Sequence, residues 1–265
     1  MANSTGLLRD PLDQFYTRPE VAGSCVESLM HYAPTNVQWI EPSAGTGSFL
    51  GHVPHAIGYD IDPRAERIQR ANFLELSLPR GCVVFGNPPF GRQSSLAKQF
   101  IRHAAGFADW IGFILPRSFV KPSMQKVFPL EFHLVHTHPL PENSFVVDGL
   151  PYDVPCVFQI WKRETTPRAE EIADSPDGFA YVKKEQGYTL AFRRVGFYAG
   201  RCYLPNESLS VQSHYFLRLE DPSKANTILA AAALHVFPTN TTGPRSLSKG
   251  EATRFLNTAI ANATA

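Results

Sequence analysis

Apolar residues in this chain fall into short runs, at 37–40, 56–59, 82–85, 110–115, 132–137 and 155–161, each bounded by glycine, proline or polar residues. Runs of this length predict strands. Helical spacing separates them. The first helix is expected from Pro19 to about Tyr32, with Thr17 as N-cap, Pro19 in the first turn and Glu20 completing a T-x-x-E capping pattern. Pro63-Arg64-Ala65-Glu66-Arg67-Ile68 predicts the start of another helix. Residues 95–105 predict a third, with Leu96, Phe100, Ile101 and Ala104 on one face. Short apolar strands alternating with helices are the sequence form of a mostly parallel sheet covered on both faces. The expected class is α/β, Rossmann-like and doubly wound.

After Lys162 the pattern breaks. Residues 163–178 are rich in Glu, Thr, Pro and Asp and predict a linker or exposed excursion. Residues 179–219 interleave aromatic and basic side chains. Helices are expected over 223–236 and over 249–260, the latter announced by the Ser248-to-Glu251 capping pattern. The predicted organisation is a first domain over 1–163, a linker over 164–178 and a small α+β module over 179–265. There is no internal repeat.

The 265 residues suffice to bury a core without oligomerisation. No apolar stretch approaches the ~20 residues needed to span a bilayer, and Met1 to Asp10 lacks the apolar run of a signal peptide. Cys25, Cys82, Cys156 and Cys202 are widely spaced and form no C-x-x-C pair. A soluble, reduced, cytoplasmic protein without structural zinc is expected. His133, His136 and His138 lack nearby carboxylate or thiolate partners, so no metal is expected there. The net charge of +1 hides an asymmetry: across 179–219, Lys183, Lys184, Arg193, Arg194, Arg201 and Arg218 face only Glu185 and Glu207. That segment therefore carries +4 and the remainder −3, which points to a polyanionic partner.

Three blocks carry candidate chemistry, each at the carboxyl end of an expected strand, where open α/β sheets bind ligands. The first is Glu41-Pro42-Ser43-Ala44-Gly45-Thr46-Gly47, whose glycines permit close backbone approach to a ligand. The second is Gly58-Tyr59-Asp60-Ile61-Asp62-Pro63. Asp60 is placed to accept hydrogen bonds from ribose hydroxyls, while Asp62 can serve there or as N-cap of the following helix. The third is Asn87-Pro88-Pro89-Phe90. An aromatic amine is a poor nucleophile because its lone pair is delocalised. The Asn87 side-chain oxygen and the Pro88 carbonyl, preorganised by the prolines, would favour a pyramidal nitrogen, and Phe90 would offer a stacking face.

In this order, and preceded by Phe15-Tyr16-Thr17-Arg18-Pro19-Glu20-Val21, the blocks resemble the adenine-N6 DNA methyltransferases of the gamma arrangement, which have the class I methyltransferase fold. The resemblance covers roughly residues 15–161. It implies S-adenosyl-L-methionine as cofactor, held by Tyr16, Thr17, Glu41, Ser43, Ala44, Gly45, Gly47, Asp60, Ile61, Asn72, Phe73 and Asn87. Within that set, Tyr16 and Thr17 would take the amino-acid end, although Thr17 as a helix cap fits the same position. The catalytic set would be Asn87, Pro88, Pro89 and Phe90. Asn72 stands where the family usually has an acidic residue. Its carbonyl can still accept a hydrogen bond from the cofactor's adenine, without the charge. Phe73 would pack on that ring.

The resemblance further implies a nucleic-acid partner, DNA ahead of RNA, with the target base extruded from any duplex. Tyr152 or the Val157-Phe158 position could stack on that base or simply belong to the core. In 179–219, Arg193, Arg194 and Arg201 stand closest together among aromatics and are the candidate phosphate contacts. The competing reading makes those aromatics the core of a small module. Rival functions are adenine-N6 methylation of RNA, glutamine-amide methylation of a protein, and a non-catalytic nucleic-acid-binding subunit.

Overall fold

The computed structural model describes residues 15–170, 174–241 and 243–263. The Met1 to Asp10 segment read above for a leader lies outside them. The chain divides into two compact units, residues 1–170 and 171–265.

In the first unit, β1 (Tyr16–Thr17) leads into α1 (Pro19–Tyr32). Then follow β2 (Trp39–Glu41), β3 (Ile57–Asp60), β4 (Ile68–Arg70), β5 (Cys82–Gly86), α2 (Ser95–Ala104), β6 (Ala108–Pro116), α3 (Pro122–Gln125) and β7 (Phe132–Pro139). The hairpin β8 (Phe145–Val147) and β9 (Leu150–Tyr152) precedes β10 (Cys156–Arg163). Seven strands form one sheet in the order β4-β3-β2-β5-β6-β10-β7. From β4 to β6 the pairings are parallel, and β10 runs antiparallel to both β6 and β7. The strand order reverses at β2 and β5, so their carboxyl ends form the switch point where ligands enter such sheets.

Burial explains the elements. Every residue of β5 is buried, as expected of a central parallel strand. In α2, Ala97, Phe100, Ile101 and Ala104 are buried, the face expected from spacing, with Leu96 half-exposed at its edge. Helix α1 packs so closely on the sheet that a Cβ on Gly112 would lie 2.7 Å from Leu29. Phe128 and Trp161 stack at 4.0 Å between ring centroids, a contact adding about 0.5–1.5 kcal/mol beyond burial.

Several expectations are corrected. Residues 63–68 form no helix. Only seven residues link β3 to β4, and tertiary contacts hold them: Arg64 pairs with Asp62 at 2.6 Å, the Arg64 amide donates to the Gly45 carbonyl, and Arg67 donates to the Pro54 carbonyl. Ile68 then enters the core as a strand residue paired with Gly58. Asp62 is accordingly no helix cap. Nor is Thr17, which sits in β1 opposite Phe145. Arg18 occupies the N-cap position without a side-chain cap, and Glu20 pairs with Arg18. The expected linker opens with an anchor: Arg168 donates to the carbonyls of Pro129, Phe132, Gln125 and Phe128 and lies over the Trp161 ring.

In the second unit, β11 (Phe179–Val182), β12 (Leu190–Arg193), β13 (Cys202–Tyr203) and β14 (His214–Leu219) form an antiparallel sheet ordered β11-β14-β12-β13, followed by α4 (Ala225–Leu234) and α5 (Lys249–Asn262). Ser248 and Glu251 make the capping box expected for α5. The helix expected over 223–236 is shorter, because a 3-10 turn from Pro222 to Lys224 precedes it. All four cysteines are buried and free. Among the described residues no helix is long and apolar enough to cross a membrane, and no group of three or more His, Cys, Asp or Glu could hold a metal ion.

Candidate active site

A cavity of about 330 Å³ opens at the switch point. Its floor is built from the ends of β2, β3 and β5. The chain leaving β2 turns through Gly45, at φ +50°, and Gly47, at φ +84°. Both angles lie in the left-handed region that glycine adopts without strain. A Cβ on Gly45 would also come within 3.1 Å of the Tyr16 ring. Asp60, at the end of β3, braces the loop: Oδ2 accepts from the Gly45 amide at 2.7 Å and Oδ1 from the Asp62 amide at 2.8 Å. Each carboxylate oxygen retains acceptor capacity for a further partner.

Leaving β5, the chain passes through Gly86, at φ +129°, into Asn87-Pro88-Pro89-Phe90. The Asn87 backbone carbonyl accepts from Ser43 Oγ at 3.0 Å, which ties this block to the glycine loop. Its side-chain Nδ2 donates to the Phe15 carbonyl at 2.9 Å. A carbonyl can only accept, so this contact fixes which end of the amide is nitrogen. Asn87 Oδ1 is left buried with no hydrogen-bond partner among the described residues. Such orphaned acceptors are rare in folded proteins and cost stability, so one held in a ligand cavity asks for a donor from outside.

Phe15 is held in turn by an aromatic cluster. It stacks on Tyr152 at 5.5 Å and 17°, meets Phe145 edge-on, and lies 6.2 Å from Phe90. The small sheet β1-β8-β9 carries three of these four rings or abuts them.

Of the twelve expected cofactor residues, Tyr16, Ser43, Gly45, Asp60, Ile61, Asn72, Phe73 and Asn87 line the cavity, as do Pro88, Pro89 and Phe90. Thr17, Glu41, Ala44 and Gly47 do not line it. Thr17 Oγ1 and Glu41 Oε2 are nevertheless buried and partnerless among the described residues. Burial, with Asp60 adding to it, pushes the Glu41 carboxyl well above the usual range, against weaker opposing effects of the Leu50 amide and Arg67. Asn72 uses its side chain locally, accepting from the Leu74 amide at 3.2 Å and donating to Glu75 at 2.7 Å. Phe73 packs against Phe100 at 5.4 Å.

Sequence reasoning missed Leu96 and Phe100, which line the cavity from α2, and Leu74 beside Phe73. The apolar face of α2 was visible, but its period cannot say which turn reaches a ligand. Val157 and Phe158 are core residues of β10, paired with Leu115 and Ile114 of β6. Tyr152 is the one of the three candidate stacking residues that adjoins the site, through Phe15.

In the second unit, Phe179, Phe192 and Phe216 are buried, whereas Phe197 is 88% exposed. Arg193 Nε donates to the Val195 carbonyl at 3.1 Å. Arg194 donates to the Gln212 carbonyl at 2.7 Å and lies over the Tyr215 ring. Arg201 is exposed above Tyr198 at 5.1 Å. Arg193 thus serves its own loop, and Arg201 presents its charge outward.

No protein-family model matches this sequence. Solved structures of low similarity include the M protein of the type I restriction enzyme EcoKI, 16% identical, covering 57% of this chain and 44% of its own, TM-score 0.44. A modification subunit assigned to a type I restriction enzyme of Vibrio vulnificus is 14% identical, covering 93% of this chain and 61% of its own, TM-score 0.46. The tRNA m1G37 methyltransferase of M. jannaschii is 16% identical, covering 57% of this chain and 52% of its own, TM-score 0.40.

Proposed function

We propose that this chain transfers a methyl group from S-adenosyl-L-methionine to the exocyclic N6 of adenine in DNA. The observation that carries the reading is the Asn87 amide, oriented by the Phe15 carbonyl so that a partnerless Oδ1 stands beside the cavity at the switch point.

The residues fit the cofactor. Asp60 would accept the ribose hydroxyls and Phe73 would pack on the adenine, whereas Thr17, expected on the carboxylate, lies outside the lining. When bound, the sulfonium supplies an electrophilic methyl group. Asn87 Oδ1 and the Pro88 carbonyl would each accept one hydrogen of the adenine amine, drawing its lone pair out of the ring and toward that carbon. The nitrogen–carbon bond would form as the carbon–sulfur bond breaks, with the amine held by Asn87 Oδ1 and the Pro88 carbonyl. The displaced proton leaves the nitrogen for solvent, so no strong base is needed before transfer. The rate enhancement then comes from positioning and from acceptors already in place.

The second unit would supply target contacts, with Arg201 the exposed guanidinium of its arginine group. The test is transfer of tritiated methyl to duplex DNA, single-stranded DNA, RNA and a glutamine-bearing peptide, followed by nucleoside analysis. N6-methyladenine in DNA is expected. Label confined to RNA would move the substrate class, and cofactor binding without label in any acceptor would refute the enzyme.

A further inference from the structure

The second unit contains a cleft of about 340 Å³ between the end of β11 and β14, a volume within the range of small-ligand sites. Lys183, Lys184 and Lys249 line it, with Glu185 the acid beside them. Lys183 and Lys249 are exposed and make no ion pair among the described residues. The Lys249 ammonium lies 4.8 Å from the centroid of Tyr181, whose ring also lines the cleft. Lys184 is partly committed, donating to the Glu207 and Leu209 carbonyls.

The informative residue is His214. It lines the same cleft, is only 5% exposed, and its Nε2 is buried without a partner among the described residues. Nδ1 lies 3.0 Å from the Ser210 carbonyl. That oxygen can only accept, and Ser213 Oγ, also 3.0 Å from Nδ1, can accept as well, so the tautomer that satisfies both contacts puts the proton on Nδ1 and leaves Nε2 a bare lone pair. Burial, aided by Arg193 and Lys184 and opposed by the Ser210 carbonyl, pushes the imidazole below the usual histidine range. Cations at the rim and an unanswered acceptor inside define a ligand with anionic groups and an N–H donor.

We propose that this cleft binds one unpaired nucleotide of a nucleic-acid strand, its phosphates on Lys183 and Lys249 and an N–H of its base on His214 Nε2. In a duplex the base is stacked and its Watson–Crick edge is paired, leaving only an outer amine hydrogen in the groove, so an acceptor buried inside a cleft selects unpaired bases. The proposal rests on the reading that the chain acts on nucleic acid, but it assigns the contacts to Lys183, Lys249 and His214 and not to Arg193, Arg194 and Arg201, although Arg193 is the cross-strand neighbour of His214.

Fluorescence anisotropy of the full chain with labelled oligodeoxyadenylate tests it, across a salt series. Lys183→Ala with Lys249→Ala should lower the slope of log affinity against log salt by about 1.4 for two lost phosphate contacts on a single strand. The same variant should leave duplex binding unchanged. His214→Phe should weaken the oligonucleotide up to about tenfold yet leave an abasic strand of equal length unaffected. An unchanged slope in the lysine variant overturns the proposal, as does a parent that binds no single strand. Adenosine monophosphate binding as tightly as the strand would also overturn it, by assigning the cleft to a free nucleotide. A protein that methylates adenine while the lysine variant behaves as the parent would refute the cleft alone and leave the catalytic reading standing.

Discussion

Replacing Asn87 by Ala removes one side-chain amide and leaves the backbone that anchors its neighbours intact. The Ser43 Oγ contact ends on the Asn87 main-chain carbonyl, so the tie between the glycine loop and β5 survives. Two things are lost. The Phe15 carbonyl loses its donor from Nδ2, costing about 1–3 kcal/mol if that carbonyl stays unsatisfied. At ~2–4 °C per kcal/mol for a domain of this size, melting should fall by several degrees without loss of the fold. The second loss is Oδ1, one of the two acceptors proposed to meet the amine. By analogy with removal of a single preorganised group at a reacting centre, kcat should fall about 10²–10³-fold. S-adenosylmethionine affinity should change little, because Asp60, Phe73 and the loop are untouched. Single-turnover methyl transfer with saturating cofactor, alongside calorimetry, separates the terms. Asn87→Asp keeps an acceptor but sets a carboxylate oxygen against the Phe15 carbonyl, so it should not restore the rate. Turnover within about threefold of the parent in Asn87→Ala would refute the catalytic assignment.

Asp60→Ala should weaken cofactor binding by about 1.5–3 kcal/mol, and also free the Gly45 and Asp62 amides; unchanged affinity by calorimetry would remove Asp60 from the site. Glu41 holds a proton in the folded chain across a pH range where the unfolded chain has released it, so its burial makes stability fall as pH rises above the ordinary carboxylate value. Glu41→Gln should therefore melt higher than the parent at neutral pH and converge with it near about pH 4; parallel pH profiles of Tm would contradict this. Phe73→Ala should destabilise by about 3–5 kcal/mol, since its ring is fully buried against Phe100, and a chemical-denaturation midpoint unchanged from the parent would count against it. Arg193→Ala should lower stability through loss of its hold on Val195, whereas Arg201→Ala should leave stability alone and reduce the salt slope for duplex DNA by about one; the reverse pattern would exchange their roles.

Six of the seven strands of the large sheet were legible in the sequence as short apolar runs, β4 being the exception, and the three candidate blocks sit where such runs end. The failures share a cause. Pro63 to Ile68 has the composition of a helix start, but the glycine loop takes its polar groups and the sheet takes Ile68. Thr17 matches a capping pattern, yet edge pairing with Phe145 draws it into a strand. Both are tertiary overrides of local preference. Hairpin β8-β9 left no clear trace in the pattern, since Leu150 is 68% exposed and Pro151 interrupts its alternation. His214 was invisible for a different reason. An unpartnered nitrogen is a property of its surroundings, and no spacing along the chain encodes it.

The polarity of the Asn87 amide is set by Phe15, 72 positions upstream, the residue before a two-residue strand that pairs with the β8-β9 hairpin. Chemical competence is thus separable from folding. A chain that buried its whole seven-stranded sheet but let β1 detach would keep its cofactor loop and lose the cue that tells the amide which way to face. A cut or insertion between Thr17 and Pro19 would yield a well-folded protein with an amide free to rotate. If Asn87 acts as proposed, the short edge strand would be a latch on its amide.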